Sequence, residues 1–428
     1  MSRSFCSIGH GLRPSLLLLT LSSLLFTGLT YAAGHDYAAV PLSEVVTLAL
    51  RNHPQIRAEK EELEAAQQDL GSARWARFPT FGVDGRHTEN SSKTSSLRVE
   101  QPLWSGGRIS GQIALAHAGV SLRQSHVEAA QLSITEEVMK TYFDVLRLER
   151  KRRVAMDNED EHILLVQTMR NRVSAAVSPQ ADLILVESRL SQAVTTRLQV
   201  QRELHVARDR LNELTGSHLG SLQLVAPEDF DNQLRLSEWQ QLVMQYSPER
   251  RNVIAEIDQS RSQRKLARAQ SLPTVVLGHE ERLADLDYSG QERGVNYIAV
   301  NMQLGAGLSS VSAVRAAARR EQAARQRLLA REIQVRNQVQ NVWAEIEALQ
   351  NQLPSVIDST RGASQIVESY LRQFQVGKKS WLDVLNVQRE KAQAFYSLAD
   401  TELGLTSAKF RLLAMAGMYQ NVEGKGNE

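Results

Sequence analysis

Along most of the chain, apolar positions recur at helical spacing. Ile113, Val120, Val127, Ile134, Thr141 and Leu148 stand seven residues apart, and Val335, Val339, Val342, Ile346, Leu349, Leu353 and Val356 alternate steps of four and three. Such steps hold one stripe of each helix against a partner, so the pattern predicts long helices packed as in a coiled coil. One is expected over about 107–175, with no internal proline; at 1.5 Å per residue it would reach roughly 100 Å. A second is expected over about 308–375, where Pro354 should bend or loosen it locally because proline removes a helical hydrogen bond. Shorter helices are expected over about 179–215 and 380–416.

The helical pattern lapses twice. In FPTFGVDGRHTENSSKTSSLRVEQPLWSGG two alternating runs flank a polar centre, Arg86 to Ser96; later, LPTVVLGHE and NYIAVNMQLG flank Arg282 to Gly294. Ile298, Val300, Met302 and Leu304 alternate with Tyr297, Ala299, Asn301 and Gln303, the period of a strand with two unlike faces. Each lapse predicts a β-hairpin, over about 78–104 and 272–304. Pro79 and Pro273 fall at first strand positions, where a missing N–H is tolerated. Gly106, Gly107 and Gly307 fall where strand gives way to helix. Strands of about ten residues can cross a bilayer at a tilt.

The whole arrangement occurs twice. Leu42-Ser43-Glu44 returns as Leu236-Ser237-Glu238, Pro54 as Pro248, and Phe78-Pro79 as Leu272-Pro273, each 194 residues on. Beyond the hairpins the offset is 201, pairing Leu103 with Leu304, Gly106 with Gly307, Tyr142 with Trp343, Asp182 with Asp383, and Gly216 with Gly417. Unrelated helical sequences would not keep prolines and glycines in step over such a length. The chain is therefore read as an internal duplication, with a first repeat over 33–220, a second over 221–418 and a polar tail over 419–428.

Residues 1–32 read as an export signal: Arg3 and Arg13, the apolar run LLLLTLSSLLFTGL, and small residues around Thr30-Tyr31-Ala32. A retained anchor is the alternative, though the apolar run is short for a spanning helix. Cys6, the single cysteine, lies inside this segment, so the mature chain would hold no disulfide, thiolate metal site or cysteine nucleophile. A formal net charge of +2 gives no reason to invoke nucleic acid. No later segment is apolar for about 18 residues, so no spanning α-helix is expected. The histidines are scattered, and His117 and His126 lack helical metal spacing. SGGRISG lacks the Lys-Ser/Thr of a phosphate loop, and Arg150 to Arg153 and Arg319-Arg320 read as solvent-facing. No catalytic constellation, metal site or cofactor site is expected.

Two hairpins supply four strands, and their outer edges would leave backbone groups unsatisfied in hydrocarbon. Strands from other copies must close the sheet. Membrane barrels begin at about eight strands, so two copies are the minimum and three would give twelve. A soluble hairpin in a periplasmic helical adaptor or scaffold is the alternative at this point. Against it stand two matched hairpins inserted at the same repeat position.

The duplicated LSE…P starts, PLWSGGR from Pro102 to Arg108, and FQVGKKSWLDVLNVQRE from Phe374 to Glu390 carry a resemblance. Over nearly all of Leu42 to Gly417 the chain resembles the TolC family of outer-membrane channel proteins. The resemblance implies a mainly α fold with a small β part, assembled as a trimer with two structural repeats per protomer. Four strands from each protomer would enter a shared twelve-stranded barrel, continuing into a long helical tunnel in the periplasm of a Gram-negative bacterium. GKKSWLDVLN is most similar to outer-membrane components of type I secretion systems that export large adhesins.

That passage also predicts local structure. Gly377 should end the long helix in the left-handed conformation, and Ser380 should cap the helix beginning at Trp381. Ser178 and Pro179 are the expected counterparts, a cap followed by proline at the first helical position. With Lys378, these residues form tight turns farthest from the strands, which the resemblance identifies as the periplasmic tip. It further implies an acid ring there. Asp383 matches the ring aspartate, and Asn386 stands where some members carry a second, which would weaken the ring. A closing link is implied from Asp182 to the basic position, Lys379, and to a tyrosine position that holds Phe374, which cannot donate. Ala176 replaces the first repeat's glycine. Three carboxylates around a narrow opening would attract cations and repel anions, and an exposed Asp182–Lys379 pair would add at most about 1 kcal/mol per copy. The plainer reading makes Asp182 and Asp383 first-turn acids favoured by the helix dipole. Trp381 reads as packing or partner contact.

The function these observations predict is a passive outer-membrane exit duct. Its energy would come from an inner-membrane ABC exporter acting through a periplasmic adaptor (a membrane fusion protein). Multidrug or metal efflux through a proton-driven pump is the alternative.

Overall fold

The computed structural model describes residues 39–87, 93–218, 223–224, 234–285, 294–302 and 309–418. The expected export signal, the polar tail, Leu304 and Gly307 lie outside the described residues.

The first repeat runs β1 (Ala39–Val40), α1 (Leu42–Asn52), α2 (Pro54–Trp75), β2 (Thr80–His87), β3 (Lys93–Trp104), α3 (Arg108–Ser174) and α4 (Gln180–Thr215). The second runs β4 (Gln223–Leu224), α5 (Leu236–Tyr246), α6 (Pro248–Ala269), β5 (Thr274–Asp285), β6 (Gly294–Asn301), α7 (Ser309–Gln375) and α8 (Trp381–Met415). The duplication is geometric as well as textual: α2 and α6 hold 22 residues each, α3 and α7 hold 67 each. The same local chemistry starts the matched helices. Pro54 and Pro248 each open a helix where the lost N–H has no intrahelical partner anyway. His53 Nδ1 then accepts from the Gln55 N–H (3.3 Å), and Ser247 Oγ from the Arg250 N–H (3.2 Å). Pro354 does not break α7. Its ring sits on the exposed side, while Leu353 and Val356 continue to pack inward.

Seven-residue spacing becomes buried stripes. Val335, Val339, Val342 and Ile346 of α7 and Val127, Ile134, Thr141 and Leu148 of α3 are all buried. Each such aliphatic side chain contributes about 1.5–3 kcal/mol by leaving water. The larger core gathers α1, α5 and the middle of the long helices around Tyr142, Phe143, Trp239 and Phe410. The Tyr142 hydroxyl donates to the Val40 carbonyl at 3.0 Å, fastening β1, which pairs in parallel with β4. A second core joins α3, α4, α7 and α8 around Met169, Val186, Phe374 and Trp381, at the helical end remote from the strands.

The four longer strands form an antiparallel sheet in the order β2-β3-β5-β6, so β2 and β6 are open edges in one protomer. Phe81 lies opposite Val99, Val83 opposite Leu97, Val275 opposite Val300 and Leu277 opposite Ile298, all on one face. Phe81 is 75% exposed, Val83 73% and Ile298 68%, an uncovered apolar surface suited to lipid. Among the described residues, no helix is long and apolar enough to cross a membrane.

Candidate functional site

The opposite sheet face carries charge. Arg98 sits near the middle of β3 between Glu280 (3.3 Å) and Asp84 (3.7 Å), and the Tyr297 hydroxyl donates to Glu100 at 2.8 Å. Charges at mid-strand height are tolerable only when turned toward water, so this face lines the lumen. A methyl group at Gly278 would collide with the Tyr297 ring, so glycine lets that ring lie flat against the wall. On the outward face, His279 Nδ1 bonds Asn296 Oδ1 at 2.8 Å.

Strand and helix meet at a strained joint. Gly106 (φ 59°) and Gly107 (φ 86°) are both left-handed, and Gly107 is the N-cap of α3. A Cβ on Gly106 would stand 2.6 Å from the Leu272 Cβ, so the position requires glycine for both conformation and space. Pro79 and Pro273 immediately precede Thr80 and Thr274, where β2 and β5 begin, one residue later than the sequence suggests. The prolines thus lie outside the ladder altogether.

At the remote end, α3 and α7 terminate alike. The N–H of Val177 donates to the Arg172 carbonyl and that of Ala176 to Val173, both at 2.9 Å. Lys378 likewise donates to Gln373 at 2.9 Å and Gly377 to Phe374 at 3.0 Å. These are Schellman motifs, which place one residue in the left-handed region. In the second repeat it is Gly377 (φ 74°); in the first it is Ala176 (φ 60°), the only positive-φ residue other than glycine among those described.

The following helices start differently. Ser380 caps α8: its Oγ accepts from the Asp383 N–H at 3.2 Å, and Asp383 Oδ2 accepts from the Ser380 N–H (3.0 Å) and Oγ (2.7 Å). Those bonds from Ser380, with Lys379 nearby, hold the Asp383 carboxyl below the usual carboxylate range. Ser178 does not cap α4, contrary to the sequence expectation. The N-cap is Pro179, which has no side-chain acceptor, and Ser178 Oγ accepts instead from Arg172 Nε at 3.1 Å. The duplication explains this, because an offset of 201 aligns Pro179, not Ser178, with Ser380. Asp182 thus occupies the place of Asp383 without a serine to hold it.

Within the protomer, no ion pair joins Asp182 to Lys379 among the described residues. The Lys379 ammonium stands 4.3 Å above the ring of Tyr370, one turn before Phe374. Phe374 is buried against Trp381 with ring centroids 4.7 Å apart, and the Arg172 guanidinium lies 4.7 Å over its other surface. Sequence reasoning missed Tyr370 and Arg172. The spacing of four between Tyr370 and Phe374 was the available signal for the first. Trp381 packs in the core, with its buried indole N–H lacking a partner among the described residues. Asn386 is half-buried one turn after Asp383, and Lys378 is exposed.

One acid elsewhere is unusual. Glu136 of α3 borders a cavity of about 330 Å³ lined also by Glu249, Gln338, Val342 and Arg411. Burial, then the Glu249 charge, pushes its carboxyl up to about 7 against the opposing pull of Arg411. Among the described residues, no cluster of three or more histidines, cysteines or acids that could hold a metal occurs.

The sequence profile of the family described as outer membrane efflux protein matches residues 45–217 and 239–418. The proteases secretion protein PrtF of Dickeya chrysanthemi is 22% identical over 436 residues, 92% of each chain. The cobalt-zinc-cadmium resistance protein CzcC of Cupriavidus metallidurans is 24% identical, over 83% of this chain and 85% of its own. The crystal structure of the outer membrane protein VceC from Vibrio cholerae superposes with a TM-score of 0.76 at 17% identity, over 88% of this chain and 96% of that one. The fold is thus that of the TolC-type trimeric channels, with a shared barrel in the outer membrane and a helical tunnel in the periplasm. With a lipid-facing half-sheet, a charged lumen wall and a profile match spanning both repeats, the chain belongs to the outer membrane efflux protein family, whose members are conduits rather than enzymes.

Proposed function

We propose that the channel is the exit duct of a type I secretion machine, passing a large protein such as an adhesin. An inner-membrane ABC exporter would supply the energy, and a periplasmic adaptor would join it to the helical tip. The observation that carries this reading is the tip passage GKKSWLDVLN, whose glycine, serine and aspartate all hold the turn together. Around the two tip turns Val177, Val376 and Leu382 are exposed at 61%, 68% and 49%, an apolar rim available to an adaptor. PrtF, by its name a protease secretion protein, supports the same class of cargo. Metal or drug efflux through a proton-driven pump is the second reading, supported by similarity to CzcC.

Deleting the gene distinguishes them. Loss of a large protein from the culture medium, with metal and drug susceptibility unchanged, is the expected result. Unchanged secretion with heightened susceptibility would overturn it.

At the tip, Asp383 and Asp182 would form the acidic lining of the narrow end, with Asn386 beside it and Lys379 available to a neighbouring copy. In planar bilayers, Lys379→Asp should raise leak conductance, and Asp383→Ala should weaken block by multivalent cations. Unchanged leak or undiminished block would remove those residues from these roles.

A further inference from the structure

Glu136 is a carboxylate that the fold does not explain. It makes no hydrogen bond or ion pair among the described residues. The duplication shows that no acid is needed there. An offset of 201 carries Glu136 to Asn337, and one of 194 carries Glu249 back to Gln55. The duplicated scaffold therefore forms with uncharged residues at both places, and the two acids occur together only where the first repeat meets the second. A residue that breaks the local pattern and is costly to ionise is the kind found where something binds.

The space beside it is a cavity of about 330 Å³, walled by α3, the α5–α6 joint, α7 and α8. That is room for a small organic molecule, and junctions between packed units are where such cavities collect. The buried part of the lining is apolar, with Val243, Val335, Val342 and Met415 each less than a tenth exposed. The exposed part carries the amides of Gln338 and Asn341, neither with a hydrogen-bond partner among the described residues.

The charges around the cavity leave an excess of acid. From α6 Glu249 faces Glu136, and from α8 Arg411 does; α7 contributes neutral amides to the lining. Arg331 is taken by Glu249 at 2.9 Å and Arg411 by Glu345, so neither guanidinium is free to neutralise Glu136. An anion would be repelled, and a neutral molecule would leave the charge uncompensated. A bare metal ion fits poorly, because magnesium or calcium asks for about six oxygen donors or more and one of the two carboxylates is already held by Arg331.

We propose that this cavity is a binding site for a small organic ammonium ion with an apolar body, one per protomer. Glu136 takes the charge, the side-chain oxygens of Gln338 and Asn341 accept the remaining N–H bonds, and the aliphatic lining takes the body. Occupied, the site supplies the counter-charge that Glu136 lacks and stabilises the folded channel by mass action.

The test uses the full-length protein purified as a trimer in detergent. Benzylammonium chloride is the probe, and benzyl alcohol is its neutral counterpart of the same shape. Calorimetric titration at pH 8, against a detergent blank, should show saturable binding of benzylammonium with a Kd of about 1 mM, the range open to so small a ligand. Benzyl alcohol should bind about tenfold more weakly or worse. Affinity for benzylammonium should fall about tenfold from pH 8 to pH 6, since Glu136 titrates at about 7 and its ionised fraction drops by that factor while the probe keeps its charge. Glu136→Gln should weaken binding by at least about tenfold and remove its pH dependence. Ala129→Phe fills the cavity and leaves both carboxylates in place; it should abolish binding. Benzylammonium should also raise the melting temperature of wild type at pH 8 and leave that of Glu136→Gln unmoved. If a variant loses the trimer, the pH and benzyl alcohol comparisons on wild type decide alone. No saturable binding to wild type, equal affinity for benzyl alcohol, or an affinity unchanged between pH 8 and pH 6 overturns the site, as does binding that survives in both variants as folded trimers.

Discussion

Glu136 gives the channel a pH-dependent stability that can be worked out from its surroundings. It lies on the first repeat, facing Glu249 of the second across a cavity of about 330 Å³. The nearby cations are already engaged, Arg331 with Glu249 at 2.9 Å and Arg411 with Glu345. Burial, then the Glu249 charge, raises the Glu136 pKa from 4.5 to about 7 against the pull of an Arg411 already engaged elsewhere, so ionising Glu136 in place is costly. A carboxyl with a raised native pKa binds its proton more tightly folded than unfolded. Its contribution is fully present below pH 4.5, declines between 4.5 and 7, and is gone above about 7. The full shift corresponds to roughly 3 kcal/mol; because Glu136 keeps part of its surface in water, about 2 kcal/mol is expected. Glu136→Gln retains the shape and cannot ionise. Thermal unfolding of the detergent-solubilised trimer should show the variant melting a few degrees, roughly 2–4 °C, above wild type at pH 8. At pH 4.5 the two should coincide. Equal shifts at both pH values, or a variant less stable at pH 8, would refute the assignment of an uncompensated charge.

Two further substitutions probe the other sites. Ser380→Ala removes the cap of α8 and should cost about 1 kcal/mol; it should also raise the Asp383 pKa toward the ordinary value, since bonds from Ser380 hold it down. An NMR titration of the Asp383 carboxyl checks the sign, and an unmoved pKa counts against the capping box. Gly278→Ala displaces the Tyr297 ring from the barrel wall into the lumen, so single-channel conductance should fall while heat-resistant trimer remains on gels; unchanged conductance would mean the ring does not face the lumen.

Long-range order followed from the sequence where backbone constraints repeat. Period 3.5 along α7, period 2 along β6, and prolines and glycines held at two constant offsets specify a duplicated helical protein with paired hairpins. The four-strand sheet with two open edges follows from the same pattern, because alternation identifies strands and duplication doubles them. Side-chain pairings were harder to foresee in proportion to the distance they span. The Ser380–Asp383 box is a three-residue pattern and announces itself. Lys379 over Tyr370 crosses a turn, Arg172 over Phe374 joins two helical hairpins, and Glu136 facing Glu249 joins two repeats; the four-residue step from Tyr370 to Phe374 marks a shared helix face, but no spacing marks the pairings themselves. The misreading of Ser178 has a different origin. Ser-Pro usually means a cap followed by the first helical residue, but the turn geometry shared by the repeats places the proline itself at the cap.

That substitution and Ala176 together make the two tip turns unequal. Both turns use the same Schellman bonds, so their backbones are equivalent, but the first-repeat turn holds an alanine at φ 60° where the second has glycine at φ 74°. A left-handed alanine costs about 1 kcal/mol or more, and the missing side-chain cap costs about 1 kcal/mol besides. The Arg172–Ser178 bond returns part of this, being made only in the first repeat. A residual difference of about 1.4 kcal/mol means roughly tenfold more frequent local opening of the α3–α4 turn than of the α7–α8 turn. Hydrogen exchange on the intact trimer should show the amides of Val177, Ser178 and Asp182 exchanging about tenfold faster than those of Lys378, Lys379 and Asp383. Ala176→Gly should close most of that gap without altering the second turn. Equal exchange in wild type, or a gap untouched by the glycine, would mean that interactions beyond the turn outweigh the strain in it. The expected result makes the first-repeat turn the softer half of the tip, and the half in which Asp182, unlike Asp383, has no serine to fix its carboxylate.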